Sequence, residues 1–176
     1  DGSKIAYSRP DSVGLVDLSE GGFKSIIDFS PYQPKSDWAW VPSLSWSEDN
    51  QILFTELSAD VLGQNGSAGP LYNLVAILLE TGNVIPLVES CGLFCYPVLS
   101  PIDSHGHYLI CYLSSIIPEQ SETSRYNLKV MDRDGSNPSK LYPGEGIQGL
   151  DPQLISWSPF TETENETNHN GKQVIR

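Results

Sequence analysis

Positive charge is scarce in this chain: 10 Lys and Arg stand against 22 Asp and Glu, a formal net charge of −12. No basic cluster gathers the few cations, which argues against nucleic-acid phosphates and anionic lipid as partners. Long apolar runs are missing too. No stretch reaches the roughly 18 uninterrupted apolar residues of a membrane-crossing helix, so membrane insertion is not expected. The opening segment DGSKIAYSR has no apolar run of the kind a signal peptide carries. Catalytic signatures are absent as well. The nearest string to a G-x-S-x-G nucleophile elbow, Asn65-Gly66-Ser67-Ala68-Gly69, has Asn where the first Gly is required. There is no H-E-x-x-H, and the carboxylates are scattered over turns. No catalytic residue and no cofactor is therefore nominated, and the chain is not expected to be an enzyme by itself.

What the 176 residues do hold is a steady supply of short apolar, β-branched and aromatic runs, separated by 15 Gly, 13 Pro and many Asn, Asp and Ser. The length suits one domain with a real core. The longest apolar run, LYNLVAILL at 71–79, has no decisive period. It ends in Thr81-Gly82-Asn83 and is answered by VIPLV, which reads as one hairpin. An all-β chain follows.

Internal repetition sharpens this. SWSEDN at 45–50 leads into QILFTEL, LSPID at 99–103 leads into HYLICYL, and SWSP at 156–159 leads into NGKQVI. Between these anchors lies a second hairpin in three versions: GLVDLSEGGFKSIIDF, YNLVAILLETGNVIPLV and YNLKVMDRDGSNPSKLY. Each unit is four antiparallel strands, and such units are blades of a β-propeller. Within a blade the strands run a to d from the hub outward. Blade one (1–30) lacks strand a and has b at 4–9, c at 13–19 and d at 24–29. Blade two (42–90) has a at 42–47, b at 51–58, c at 71–79 and d at 84–89. Blade three (96–143) has a at 96–100, b at 107–114, c at 126–132 and d at 139–142. A fourth blade starts within 153–176, with a at 153–158 and b at 172–175.

The segments DGSKIAYSR, SWSEDNQILFTE and LKVMDRDGSNPSKLY resemble TolB-type, WD-repeat-like propeller repeats, whose pattern runs W-S-P-D-G, an apolar strand, then a V-M-D-x-D-G-S-N-P hairpin. VLSPIDSHGHYLIC departs from it, with Leu for the Trp and extra turn residues. The resemblance implies one partial propeller domain over 1–176, an incomplete ring of about three to three and a half blades. An open arc leaves two blade faces uncovered, forfeiting on the order of 10 kcal/mol of apolar burial. The chain is thus expected to be a piece of a longer protein or, less simply, to close a ring with a second copy; either way further blades are needed.

Long irregular loops gather at one end of the blades, at 30–41, 59–70, 115–125 and 143–151. Tyr32, Trp38 and Trp40 sit there in a proline frame, and they are the candidate ligand-binding residues for a protein or glycan. The competing reading has one tryptophan cover the seam between blades one and two while the other anchors the loop. GQNGSAG at 63–69 has no basic residue and opens no helix, so it reads as a plain loop rather than a phosphate cradle. Asp103-Ser104-His105-Gly106-His107 reads as a turn rather than a metal site. The acidic 159–171 stretch reads as a solvated loop.

Of the three cysteines, Cys91 and Cys95 form a candidate disulfide, with Cys95–Cys111 also conceivable across a hairpin. Asn65 and Asn165 lie in sequons and are candidate glycosylation sites. Acidity, few lysines and few cysteines fit an extracytoplasmic protein, whether periplasmic, cell-surface or secreted. The functional expectation is a non-catalytic propeller module for binding or scaffolding. The alternative is the substrate-gating propeller of a prolyl-oligopeptidase-like serine hydrolase whose catalytic domain lies elsewhere.

Overall fold

Hairpin formation begins with local turn chemistry. In the three outer hairpins Gly21, Gly82 and Gly135 take φ of 66°, 73° and 87°, values that side-chain-bearing residues rarely adopt. Carboxylates and hydroxyls then lock the turns. Asp17 accepts from the Ser19 amide at 2.8 Å, Asp134 accepts from the Ser136 amide at 2.9 Å, and the Thr81 hydroxyl accepts from the Asn83 amide at 3.2 Å. A second device repeats at the inner turns. The Ser47 hydroxyl accepts from the Ile52 amide at 2.9 Å, and the Ser100 hydroxyl accepts from the Leu109 amide at 2.9 Å. The serine following each of these two repeat anchors, Trp46 and Leu99, therefore closes its own hairpin.

The computed structural model describes residues 2–33, 37, 39–63, 71–146 and 148–158. Among them are eleven strands: β1 (Lys4–Arg9), β2 (Ser12–Asp17), β3 (Phe23–Asp28), β4 (Ser45–Trp46), β5 (Ile52–Ser58), β6 (Tyr72–Leu78), β7 (Val84–Val88), β8 (Val98–Leu99), β9 (Leu109–Ser115), β10 (Tyr126–Asp132) and β11 (Ser139–Tyr142). Two short 3-10 turns, Ala59–Leu62 and Pro118–Gln120, sit in the b–c loops. The strands form three antiparallel sheets in the orders β1-β2-β3, β4-β5-β6-β7 and β8-β9-β10-β11. These are blades one, two and three, each a meander of hairpin neighbours.

The inner strands differ from expectation. Only Ser45–Trp46 and Val98–Leu99 pair as strands where 42–47 and 96–100 were predicted, and residues 153–158 form no strand. Side chains take over from the ladder. The Ser43 amide donates to Glu56 at 3.0 Å, while the Thr55 hydroxyl donates to the Ser43 carbonyl at 2.6 Å. With its backbone satisfied this way, Ser43 needs no strand partner. Near the chain's end Leu150 forms an isolated bridge with Tyr126. Residues 172–175 lie outside the described residues.

Blade two is sandwiched between the others. One core joins Val13 of blade one to Leu53, Leu57, Val75 and Ile77 of blade two. Another joins Phe54, Leu74 and Ala76 of blade two to Tyr108, Ile110, Tyr112 and Met131 of blade three. The register Leu53↔Ile77 and Phe54↔Ala76 sends alternate residues of β5 and β6 to opposite sides. Both sides are buried, which is why 71–79 is apolar without alternation. Blade one's outward face, by contrast, leaves Ile5 and Phe23 exposed, with Phe23 edge-on to Tyr7 at 5.7 Å.

One carboxyl is shut inside. Glu56 on β5 is 0% exposed, and its oxygens accept from the Ser43 amide and hydroxyl at 3.0 and 2.6 Å. Burial disfavours its ionised form and pushes its pKa up to about 7, against the opposing pull of the Ser43 hydrogen bonds. The folded protein thus keeps a proton that the unfolded chain releases from about pH 4.5. This group's stabilisation is full below that pH and falls by on the order of 3 kcal/mol as pH rises to about 7. Glu56→Gln, which stays neutral, is expected to flatten that decline. Denaturant titrations of both proteins at pH 5 and pH 8 check it, and parallel slopes with pH would contradict it.

Candidate functional site

At the long-loop end the structure separates the three sequence-derived candidates. Trp40 is 4% exposed. Its ring packs edge-on to Tyr72 at 4.6 Å, and its indole N–H donates to the Leu93 carbonyl at 2.9 Å. It cannot present a face to a ligand, because both its apolar area and its polar tip are spent inside the protein. As a ligand contact Trp40 is therefore corrected to a core residue that ties the 30–41 loop to β6 and to the β7–β8 linker. Tyr32 is half-buried, edge-on to Tyr72 at 5.9 Å, and its hydroxyl donates to the Glu122 carboxylate. Burial and the adjacent carboxylate push its phenol up to about 12, so it stays a neutral donor. Trp38 lies outside the described residues, as do Asn65, Asn165 and the GQNGSAG stretch beyond Gly63.

The loops are also tied to one another. Arg125 pairs with Asp151 at 2.8 Å and donates to the Gly149 carbonyl at 2.8 Å. The Tyr126 hydroxyl donates to the Ser121 carbonyl at 2.7 Å. Within the β7–β8 linker, Gly92 has φ of 103°, and a Cβ there would meet the Ser115 Cβ at 2.8 Å and the Tyr126 hydroxyl at 2.9 Å. Nothing larger than glycine fits. All three thiols are free and buried in this structure, including the Cys91–Cys95 pair.

An open pocket lies at the opposite, turn end. A cavity of about 620 Å³ is lined by Trp46, Leu99, Tyr108 and Trp157, with Ser47, Ser100, Ser156, Ser158, Glu48 and Asn50 around it. Trp46, Leu99 and Trp157 occupy the same position in three successive repeats, so the repetition itself delivers them to one place at the hub. Trp157 is held by an indole N–H bond to the Val98 carbonyl at 3.1 Å. Tyr108 is fixed edge-on to Phe54 at 6.4 Å. Sequence reasoning used these residues as markers of the repeat and missed them as a site. The signal was present in the alignment of the anchors, whose convergence follows from blade geometry. Aromatic faces ringed by hydroxyls suit a ligand that is apolar on one face and polar at its edge.

The neighbouring Asp103–His107 turn behaves as expected of a turn. The Asp103 carboxylate accepts from the His105 and His107 amides, both at 2.8 Å, and those bonds hold its pKa below the usual carboxylate value. Both amides share Oδ1, while Oδ2 lies 3.6 Å from the His107 Nδ1. Among the described residues no group of three His, Cys, Asp or Glu is placed to hold a metal ion.

No family model matches the chain, and no curated protein matches it. Solved structures do. One is an oligogalacturonate lyase in complex with manganese, with a TM-score of 0.51 and 14% identity, covering 81% of this chain and 38% of that one. Another is the tricorn protease, with a TM-score of 0.49 and 18% identity, covering 80% of this chain and 12% of that one. The lyase is a propeller-type fold. The chain is a run of β-propeller blades. It spans well under half the length of either neighbour, and the likeness concerns fold alone.

Because Trp40 is a seam residue, Trp40→Ala is expected to destabilise the fold by about 3–4 kcal/mol, while Tyr32→Phe, which loses one partly solvated hydrogen bond, costs about 1 kcal/mol or less. Chemical denaturation of the two variants measures the contrast, and equal costs would contradict the assignment of Trp40 to the core.

Proposed function

We propose that this chain is a non-catalytic binding part of a larger propeller protein, and that it takes a neutral glycan residue in the hub pocket between Trp46 and Trp157. The observation that carries the proposal is the pocket itself, two indoles and a tyrosine from successive blades around about 620 Å³, with four serines at the rim. A pyranose ring has an apolar face for stacking and hydroxyls for the rim, and one such ring fits easily within that volume. The net charge of −12, with Glu48 at the pocket's edge, favours a neutral sugar over an anionic one. In this reading the exposed Ile5 and Phe23 face of blade one receives a further blade. The protein works outside the cytoplasm, where glycans of this kind are met. The resemblance of DGSKIAYSR and LKVMDRDGSNPSKLY to TolB-type repeats supports the same placement.

Titration with a panel of neutral and uronic-acid oligosaccharides, followed by tryptophan fluorescence and calorimetry, tests it. A neutral member is expected to bind, and Trp46→Ala or Trp157→Ala to weaken it at least about tenfold, the loss of a stacked aromatic contact. Binding unchanged in both variants, or confined to the uronic acids, would overturn the assignment.

A further inference from the structure

The linker between β7 and β8 places two thiols in one buried core. Cys91 and Cys95, on either side of the turn at Leu93 and Phe94, are each 0% exposed and belong to the same cluster, and the Cys91 thiol donates to the Gly92 carbonyl at 3.6 Å. The backbone on either side is pinned. The Ser115 amide donates to the Cys91 carbonyl at 2.7 Å, the Leu113 amide donates to the Cys95 carbonyl at 2.7 Å, and the Gly92 amide reaches the Tyr72 carbonyl at 3.3 Å. Between the cysteines, Leu93 is held from above by the Trp40 indole. The five-residue segment is therefore held at both ends by β9 and along its length by its neighbours.

We propose that Cys91 and Cys95 are joined by a disulfide in the working protein, formed as the chain folds. The third thiol is not a competitor. Both linker cysteines belong to the core that contains Ile110 and Tyr112. Cys111 lies between those two on β9, and alternation along the strand turns its side chain to the opposite face of the sheet. This geometry decides against the Cys95–Cys111 pairing. In the reaction each thiol gives up one proton and one electron, the S–S bond forms, and a disulfide of the oxidant, oxidised glutathione or a thiol oxidase, is cleaved to two thiols. Burial also raises the Cys95 thiol well above its ordinary value, so little thiolate exists once the core has closed. Oxidation therefore belongs to the folding chain, and in the folded protein no reductant reaches the bond. The cross-link fastens the joint between blades two and three at the point where Trp40 and Tyr126 meet the linker. Such a bond persists in an oxidising compartment. It is independent of the proposal for the hub pocket.

The full chain is refolded from denaturant in a reduced–oxidised glutathione buffer, alkylated in denaturant without reductant, and digested with chymotrypsin, which cuts after Phe94. The expected result is a Cys91 peptide and a Cys95 peptide joined together, with Cys111 alone alkylated. Cys111→Ser is expected to keep the bridge, and Cys91→Ser to leave two alkylated thiols. The oxidised protein is expected to melt on the order of 5 °C above the reduced one and to resist reductant until unfolded. Three alkylated cysteines, or a bridge containing Cys111, would overturn the proposal. Should Cys91→Ser fail to fold, the peptide map of the unaltered chain decides alone.

Discussion

The structure depends on a sheet that is buried on both sides. Blade two packs Leu53, Leu57, Val75 and Ile77 toward blade one and Phe54, Leu74 and Ala76 toward blade three. A sheet gains little from its hydrogen bonds alone, since they largely replace those made to solvent, and it needs a buried apolar face to be stable. Burying both of its faces supplies the missing term. The cost of that arrangement is visible in Glu56, whose carboxyl lies in the same enclosed region and is kept neutral by burial through part of the physiological pH range. Its hydrogen bonds to Ser43 are also what releases the inner strand from regular pairing.

From this stack the two ends of the blades acquire different characters. At the loop end, long segments reach across the seams and fasten to one another through Trp40 with Leu93, Tyr32 with Glu122 and Arg125 with Asp151. Among the described residues, that end is largely consumed in structure. At the turn end the hairpins are short, their polar groups are satisfied locally by Ser47 and Ser100, and the space at the hub is left open. Function is thus more naturally sought where the repeats converge than where the loops are longest, reversing the usual association of long loops with binding.

Features governed by near neighbours were readable in the sequence. The outer hairpins and the b, c and d strands fall within about two residues of expectation, because turn residues and apolar runs act over a few positions. A structural role for one of the loop tryptophans was readable, but not that Trp40 fills it, since its burial depends on Tyr72 and on the Leu93 carbonyl 53 positions away. The inner strands were overextended for a similar reason. Whether Ser43 pairs in a ladder or bonds to Thr55 and Glu56 is settled by β5, not by the composition of 42–47. The pocket shows the converse case. Its aromatics stood out in the sequence as a repeat, and only the fanning of the sheets turns a repeat into a site.

Native-state hydrogen exchange tests the two-sided burial of blade two most directly. If its faces are the structural keystone, amides of β5, β6 and β9 share one large opening free energy and are lost together, as a single cooperative unit. The contrary result is blade three exchanging by itself, with β9 and β10 opening at least about tenfold more readily than β5 and β6. That would mean the sheets are stable separately and the shared core between them is not what holds the protein together.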